Sequence, residues 1–423
     1  MALSFLHAAD IHLDSPLRGL ERYEHAPVER IRSATRRAFE RMIDLALERR
    51  VDFVLIAGDL YDGDWRDFNT GLYLVKQLGR LRDANIPVYV ISGNHDAANK
   101  MTRSLRLPGN VRVLDDSRPE TIRLDDLGVA IHGQSFARAA VTENLAAGYP
   151  DAVSGWVNIG LLHTGLTGLE GHERYAPCTI DDLRGRGYDY WALGHIHTRR
   201  THCNDPLVVF PGNPQGRHIR ESGEKGCVLT SIGPGDRIAP MFHRLDMVRW
   251  ERSRVDATEL ASEADLLARV SSVLDELLRS EPDPDRLLAV RVVVHGTAPL
   301  HDRLHAEAER YVAEVRNLAL ERGAERLWIE KVEFQTRRMR SPSLPDGPIE
   351  ELQEVLDELR ADPAALAALG EELGELKRKL PAELTAGLDA PKLGEPEWLS
   401  GVLEEVQPLL LDLLRHSDRG AGS

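Results

Sequence analysis

Five times before residue 200, an apolar run stops abruptly at Asp, His or Asn. LSFLHAADIH reaches Asp10 and His12, VDFVLIAGDLYD reaches Asp59 and Asp62, and IPVYVISGNHD reaches Asn94, His95 and Asp96. VNIGLLHTG then reaches His163, and YDYWALGHIH reaches His195 and His197. Short runs this apolar are buried on both faces when they form strands, the pattern of a parallel sheet covered by helices. In an open sheet of that kind, ligands bind beyond the carboxyl ends of the strands. The chain is thereby restricted to folds that bring several strand ends to one edge.

The segments between the motifs agree. ERIRSATRRAFERMIDLALERR and GLYLVKQLGRLRDAN carry apolar residues at helical spacing, predicting amphipathic helices. Later strands, VRVLDD, GVAIHGQSF, LVVFPGN and GCVLTSIG, follow one another closely, so this region reads more as sheet than as doubly wound α/β. Near Val248 the pattern changes to helix ASEADLLARVSSVLDELLRS, strand RLLAVRVVVHGTAP, one long helix LHDRLHAEAERYVAEVRNLALERG, and strand RLWIEKVEFQT. The expected division is a catalytic domain over 1–247, a small α+β domain over 248–340, a Pro/Ser/Gly-rich linker over 341–349, acidic helices over 350–416 and a disordered end over 417–423. No internal repeat is visible.

Composition removes several function classes. The formal net charge is -15, which argues against a broadly basic nucleic-acid coat. The acidity is uneven: residues 341–423 hold 7 Lys+Arg and 18 Asp+Glu, leaving 46 and 50 of the 53 and 68 for the rest. The main body is thus near neutral and can carry a local basic groove. Three dispersed cysteines, Cys178, Cys203 and Cys227, make neither a disulfide framework nor a thiolate metal site. There is no charged n-region with a cleavage site and no uncharged run of membrane-spanning length, so a soluble, cytoplasmic protein without a membrane partner is expected. Aromatic content of 5% does not suit broad base-stacking platforms. No GxxxxGK loop is present, so ATP hydrolysis by this chain is not expected.

Each strand-end motif alone is weak, since strand ends are often polar turns. Asp62 and Asp96 have that plain reading as cap or turn residues, and His163 on an apolar strand that of a core histidine. Together the five motifs predict a two-metal centre. The mixed oxygen and nitrogen donors without thiolate suit manganese, iron or zinc.

The ordered set D-x-H, G-D-x-x-D, G-N-H-D, H and G-H-x-H resembles the calcineurin-like metallophosphoesterases. LHAADIHLDSPL, GDLYD, GNHD, YDYWALGHIH and FPGNPQGRHIRESGEKG further resemble the SbcD-type bacterial DNA repair nucleases, in particular their YhaO branch. This resemblance covers about residues 1–245. The next segment resembles the family's capping domain in size and position only.

The resemblance implies a metallophosphoesterase β-sandwich flanked by helices, with a small α+β capping domain and a helical C-terminal tail. It implies that Asp10, His12 and His197 hold one metal, that Asn94, His163 and His195 hold a second, and that Asp59 bridges them. Gly194 would let neighbouring histidines face different metals. It further implies a two-metal-dependent DNA phosphodiesterase, exonuclease or endonuclease, that uses a metal-bridged hydroxide. Mn2+ is the expected ion, with Fe or Zn as alternatives. His95 would be the general acid and Asp62 would orient it. The implied partners are DNA, an SMC-like ATPase and a second copy of the chain. The competing expectations are a phosphoesterase for small phosphorylated or cyclic nucleotide substrates, which the acidity favours, and a non-catalytic scaffold, which a full ligand set disfavours.

Other polar residues are secondary candidates. Arg217 and His218 are expected at substrate phosphate, with Arg199, Arg200 and Arg220 flanking. Leu17 and Arg18 follow the first motif and would face substrate. His132 and Gln134 are candidates for the cleft wall, and His7 is expected to be structural. In the tail, Trp398, Leu399, Val402, Leu403, Val406, Leu409, Leu410, Leu413 and Leu414 form an apolar stripe, suited to packing on the chain itself or docking on a partner helix.

Overall fold

A computed structural model of the chain describes residues 3–15, 26–62, 69–98, 105–166, 175–233, 237–339 and 348–373, with shorter stretches between 379 and 410. Leu17, Arg18, Leu409, Leu413, Leu414, the linker residues 341–347 and the end 417–423 lie outside the described residues. The chain divides into two compact units. One comprises 1–252, 281–290 and 325–330, and the other 253–280, 291–324 and 331–423.

In chain order the first part runs β1 (Leu3–Ala8), α1 (Val28–Arg49), β2 (Phe53–Ala57), α2 (Asn69–Asp83), β3 (Val88–Ile91), α3 (Asn94–Ala98), β4 (Val111–Val113), β5 (Glu120–Leu124), β6 (Val129–Gly133) and β7 (Val157–His163). It continues with α4 (Ile180–Arg184), β8 (Tyr190–Gly194), β9 (Arg200–Asn204), β10 (Leu207–Phe210), β11 (Gly226–Gly233) and β12 (Arg237–Arg244). These strands form two six-stranded sheets, β12-β11-β1-β2-β3-β4 and β5-β6-β7-β8-β10-β9. β1 to β4 are mutually parallel, as are β6, β7, β8 and β10. The outer pairs β1–β11, β11–β12, β5–β6 and β9–β10 are antiparallel.

The period-two alternation of the strands separates three cores. Phe5, Phe53, Leu55, Ile159, Leu161, Tyr190 and Ala192 meet between the sheets. Leu6, Val54 and Ile56 turn the other way and pack on Phe39, Met42 and Ile43 of α1 and on Leu74 and Leu78 of α2. Leu162, Trp191 and Leu193 point outward from the second sheet onto Tyr149, Tyr188 and Leu183. The fold is therefore a helix-flanked β-sandwich of mixed α/β class, as expected, with parallel central strands that all end at one edge.

Three longer strands follow, β13 (Val248–Asp256), β14 (Leu287–Ala298) and β15 (Leu327–Arg338), in the order β13-β14-β15. The first unit contains a buried ion network. Arg249 meets Asp246 at 2.8 Å and Glu281 at 2.7 Å, while Arg286 meets Asp246 at 3.3 Å and also pairs with Glu281. In the second unit α5 (Glu263–Ser280) buries Leu266, Val270 and Leu274. The predicted single long helix is two, α6 (His301–Ala306) and α7 (Ala308–Glu321). Glu307 leaves helical geometry at φ -114, ψ 31, and its carboxylate holds Arg303 at 3.1 Å and Arg310 at 2.6 Å across the break.

The tail contributes α8 (Pro348–Ala361) and α9 (Pro363–Glu372). Among its described residues Leu356, Leu366, Leu393 and Leu399 are buried. Trp398, Val402, Leu403, Val406 and Leu410 are half-buried. No helix among the described residues is long and apolar enough to cross a membrane.

Candidate metal centre

The five strand exits converge. The loops after β1 and β2 run side by side, with Asp10 N donating to Gly58 O, His12 N to Asp59 O and Leu13 N to Leu60 O, each at 3.0 Å. Asp10, His12, Asp59 and His195 all take positive φ, at 51, 45, 51 and 98°. Asp, Asn and His tolerate this region better than other side chains. Asp96, the residue read as a turn former, accepts the backbone N–H groups of Leu60, Tyr61 and Gly93 at 3.2, 3.0 and 3.0 Å, tying the second exit to the third.

The side chains then present acceptors to one another. His163 Nδ1 lies 2.9 Å from Ala57 O, which only accepts, so that nitrogen carries the proton. Burial pushes the His163 imidazole down to about 3, so the ring is neutral and Nε2 is a bare lone pair. That lone pair faces Asn94 Oδ1 at 3.0 Å and Asp59 Oδ2 at 3.5 Å. His197 Nδ1 likewise faces Glu221 Oε1 at 2.7 Å, turning its Nε2 to His12 Nε2 at 3.2 Å. His12 is fully buried, its Nδ1 has no hydrogen-bond partner, and burial holds its pKa well below the usual range. Asp59 Oδ2 also stands 3.9 Å from His12 Nε2, and so lies between the His12 and His163 rings.

Without a cation, such a convergence of lone pairs and carboxylates is unfavourable. Burial, then the neighbouring Asp59 charge, raises the Asp10 carboxyl well above its ordinary value, and burial raises Asp59 to about 6. A bound cation reverses the sign of these costs. The donor set therefore fits metal ions. Among the described residues three groups, Asp10–His12–His197, His12–Asp62–His95 and Asp10–Asp59–His163, each place three donor atoms within 4.8 Å of one another. Asp10 also accepts His195 N at 2.9 and 3.0 Å, and the His195 ring stands edge-on to His163 with centroids 5.2 Å apart. All seven residues expected as ligands thus meet at one edge of the sandwich.

His95 and Asp62 sit beside them. His95 Nδ1 meets Asp62 Oδ1 at 3.0 Å, and this hydrogen bond raises the imidazole pKa. Burial opposes ionisation of Asp62, but hydrogen bonds from His95 and Ser15 and the Arg217 charge bring it down to about 2. The His95 side chain is 39% exposed, whereas those of His12 and His163 are fully buried.

The secondary candidates scatter. Arg217 directs Nη1 to Asp62 at 3.3 Å, Nη2 to Glu221 at 2.9 Å and Nε to Glu221 at 3.4 Å, so its nitrogens face carboxylates. His218 is half-buried, 4.0 Å from Glu221. Arg199 lies over the Phe242 ring at 4.3 Å, and Arg200 and Arg220 are exposed. His132 is satisfied by Thr121 and Asn158 at 2.9 and 3.1 Å and stacks on Tyr188, and Gln134 is buried with its amide turned to Asp116 O. His7 shares a hydrogen bond with Tyr190 at 3.0 Å inside the core.

Sequence reasoning missed Glu221, Asn213 and Lys225. Glu221 is buried and accepts from His197, from Asn213 Nδ2 at 2.9 Å and from Arg217 N at 2.8 Å. Lys225 Nζ donates to His197 O at 2.7 Å. The available signal was a carboxylate four residues after an arginine in an otherwise cationic loop.

The calcineurin-like phosphoesterase family profile matches residues 3–199, and the middle-domain profile of metallophosphoesterase YhaO matches residues 250–337. The uncharacterized metallophosphoesterase YhaO of Bacillus subtilis is 41% identical over 301 residues, 70% of this chain and 72% of its own length. The DNA double-strand break repair protein Mre11 of Sulfurisphaera tokodaii is 30% identical over 219 residues, 49% of this chain and 53% of that protein. Its counterpart from Saccharolobus solfataricus is 26% identical over 319 residues, 72% and 78% respectively.

Proposed function

From the premise that the chain belongs to the calcineurin-like metallophosphoesterases, hydrolases with a dinuclear metal centre, we propose that it is a DNA phosphodiesterase acting in DNA repair. The observation that carries the reading is the convergence of buried imidazole nitrogens and carboxylate and amide oxygens beside a partly exposed His95–Asp62 pair. The kinship to proteins named for double-strand break repair supports DNA as substrate.

Asp10, His12 and His197 would hold one metal, Asn94, His163 and His195 the other, and Asp59 both. When bound, such a pair lowers the pKa of water and neutralises phosphate oxygens. In the reaction, water gives up a proton to solvent and its oxygen bonds to phosphorus as the bond to the 3'-oxygen breaks. Asp62 fixes His95 through Nδ1, leaving Nε2 to give a proton to the departing oxygen. Glu221 and Asn213 keep His197 in register from behind. Manganese as the working ion, a homodimer, cytoplasmic residence and an SMC-like ATPase partner belong to the same reading. The acidic tail, with 18 Asp+Glu against 7 Lys+Arg over 341–423, suits a basic partner surface. Co-purification of the ATPase with the full chain, compared with a chain ending at Arg340, tests that part.

The net charge of -15 favours a second reading, a phosphoesterase for small or cyclic nucleotides. End-labelled single- and double-stranded DNA, incubated with manganese, magnesium or zinc, separates the two. The DNA reading expects metal-dependent degradation, with filter-binding affinity that falls steeply as salt rises. Turnover of cyclic nucleotides with intact DNA would overturn it.

A further inference from the structure

Two histidines at this centre are held in the same way. Asp62 holds His95 through Nδ1 at 3.0 Å, and Glu221 holds His197 through Nδ1 at 2.7 Å. Each carboxylate leaves the Nε2 of its histidine for other work. A single guanidinium lies between these two carboxylates. Arg217 reaches Asp62 Oδ2 with Nη1 at 3.3 Å, grips Glu221 with Nη2 at 2.9 Å and Nε at 3.4 Å, and also brings Nη2 to 3.3 Å from His197 Nδ1 itself. The arrangement is a chain His95–Asp62–Arg217–Glu221–His197, spanning residues 155 positions apart between Asp62 and Arg217.

The surroundings fix this chain. The side chains of Arg217, Asp62 and Glu221 are 15%, 19% and 7% exposed. Glu221 is further held by Asn213 Nδ2 and by the Arg217 backbone N–H, and Asp62 by Ser15 Oγ. The planar fork of arginine can serve two carboxylates in one plane, whereas a lysine ammonium offers a single point charge. With its nitrogens facing carboxylates, Arg217 is not presented as an open phosphate clamp.

We propose that Arg217 is a positioning residue that sets a metal-holding histidine and the proton-donating histidine together, by bridging the two carboxylates that orient them. The proposal rests on the reading of His197 as a metal ligand and His95 as the acid, and it is independent of DNA as substrate. Removing a carboxylate that orients a metal-ligating histidine typically costs about 10–100-fold in metal affinity. Removing the general acid costs about 10²–10⁴-fold in rate. The two halves of the chain therefore have different signatures, and a residue joining them should show both.

The test uses the full-length protein and three variants, Glu221→Gln, Asp62→Asn and Arg217→Lys. Manganese affinity is measured by calorimetry, and kcat at saturating manganese with bis(p-nitrophenyl) phosphate. Imidazole 15N spectra of the zinc-loaded protein report the tautomers of His95 and His197. Glu221→Gln should weaken manganese binding by about 10-fold or more, and disturb the His197 signals while leaving those of His95 in place. Asp62→Asn should lower kcat by about 10-fold or more at unchanged manganese affinity, and disturb His95 alone. Arg217→Lys should do both and disturb both rings.

An Arg217→Lys protein of wild-type thermal stability that moves only one histidine, or neither, overturns the proposal. If Arg217→Lys does not fold, the double variant Asp62→Asn/Glu221→Gln replaces it. There the proposal expects the two effects to be coupled rather than additive, and strict additivity overturns it. A wild-type protein that binds no manganese would instead refute the metal reading itself, and one that cleaves the synthetic diester but not DNA would refute only the substrate.

Discussion

Gly194→Ala is a small change with a large expected effect. A Cβ at this position would lie 1.9 Å from Ala57 O, 2.9 Å from Ala57 C and 3.0 Å from His163 Nδ1. An ordinary carbon–oxygen contact is about 3.3 Å, so the backbone of β2 or β8 must yield by about 1.4 Å. Neither strand has room, because both are central and buried on both faces. Overpacking of this kind costs about 1–3 kcal/mol. Ala57 O is also the acceptor for His163 Nδ1, and losing that hydrogen bond adds about 1 kcal/mol. The expected destabilisation is therefore about 2–4 kcal/mol. It should be accompanied by a specific defect, since His163 loses the contact that fixes its tautomer. Urea unfolding of the metal-free protein reads the first, and elemental analysis after dialysis reads the second. Gly109→Ala is the control, because nothing lies within 4 Å of its Cβ, and it should stay within about 0.5 kcal/mol of wild type. A Gly194→Ala protein that matches this control in both stability and metal content would refute the close-approach argument.

Three further outcomes are expected. Asp59→Asn should lose metal and turnover together, because a neutral amide does not bridge two cations well; two metals per chain in the purified variant would remove Asp59 from the bridging role. His95→Ala should keep metal content and DNA affinity while the rate falls by about 10²–10⁴-fold, and parallel loss of metal would make His95 a ligand instead. Burial pushes the His7 imidazole down to about 3, so the folded protein keeps it neutral while the unfolded chain protonates it near pH 6.5. The unfolded state binds the extra proton between these values, so this contribution is intact above pH 6.5 and is lost as pH falls. At pH 4.5 the wild type should have lost roughly 3 kcal/mol more than His7→Gln, measured by urea midpoints at pH 7 and 4.5; equal losses would refute it.

The parts of the fold legible in the sequence are those written in local pattern. The alternation in VDFVLIA and YWALG sends Leu55 and Ala192 into one core and Ile56 and Trp191 into others, and apolar periodicity alone announces it. The strand ends gave the candidate site for the same reason, since Asp10, Asp59, Asn94, His163 and His195 each interrupt an apolar run. What was hidden depends on partners distant in sequence. Glu221 carries little local signal, and Arg217, expected at substrate phosphate, turns instead to Glu221 and to Asp62, 155 residues away in sequence. Nothing local announces the burial of Arg249, Asp246, Glu281 and Arg286, yet each is nearly inaccessible because the others neutralise it. The break at Glu307 was invisible because its neighbours keep helical spacing on both sides.

The left-handed backbone at Asp10, His12, Asp59 and His195 limits how this centre can be redesigned. An ordinary L-residue placed there incurs about 1–2 kcal/mol of strain before any question of coordination arises. Asn, Asp, His and Gly largely escape that cost, and Cys and Glu do not. An engineer seeking a softer donor for a different ion is therefore directed to Asn94, His163 and His197, whose backbone carries no such restriction. At the other four positions the side chains the backbone tolerates are set by the shape of the turn before any ion is considered.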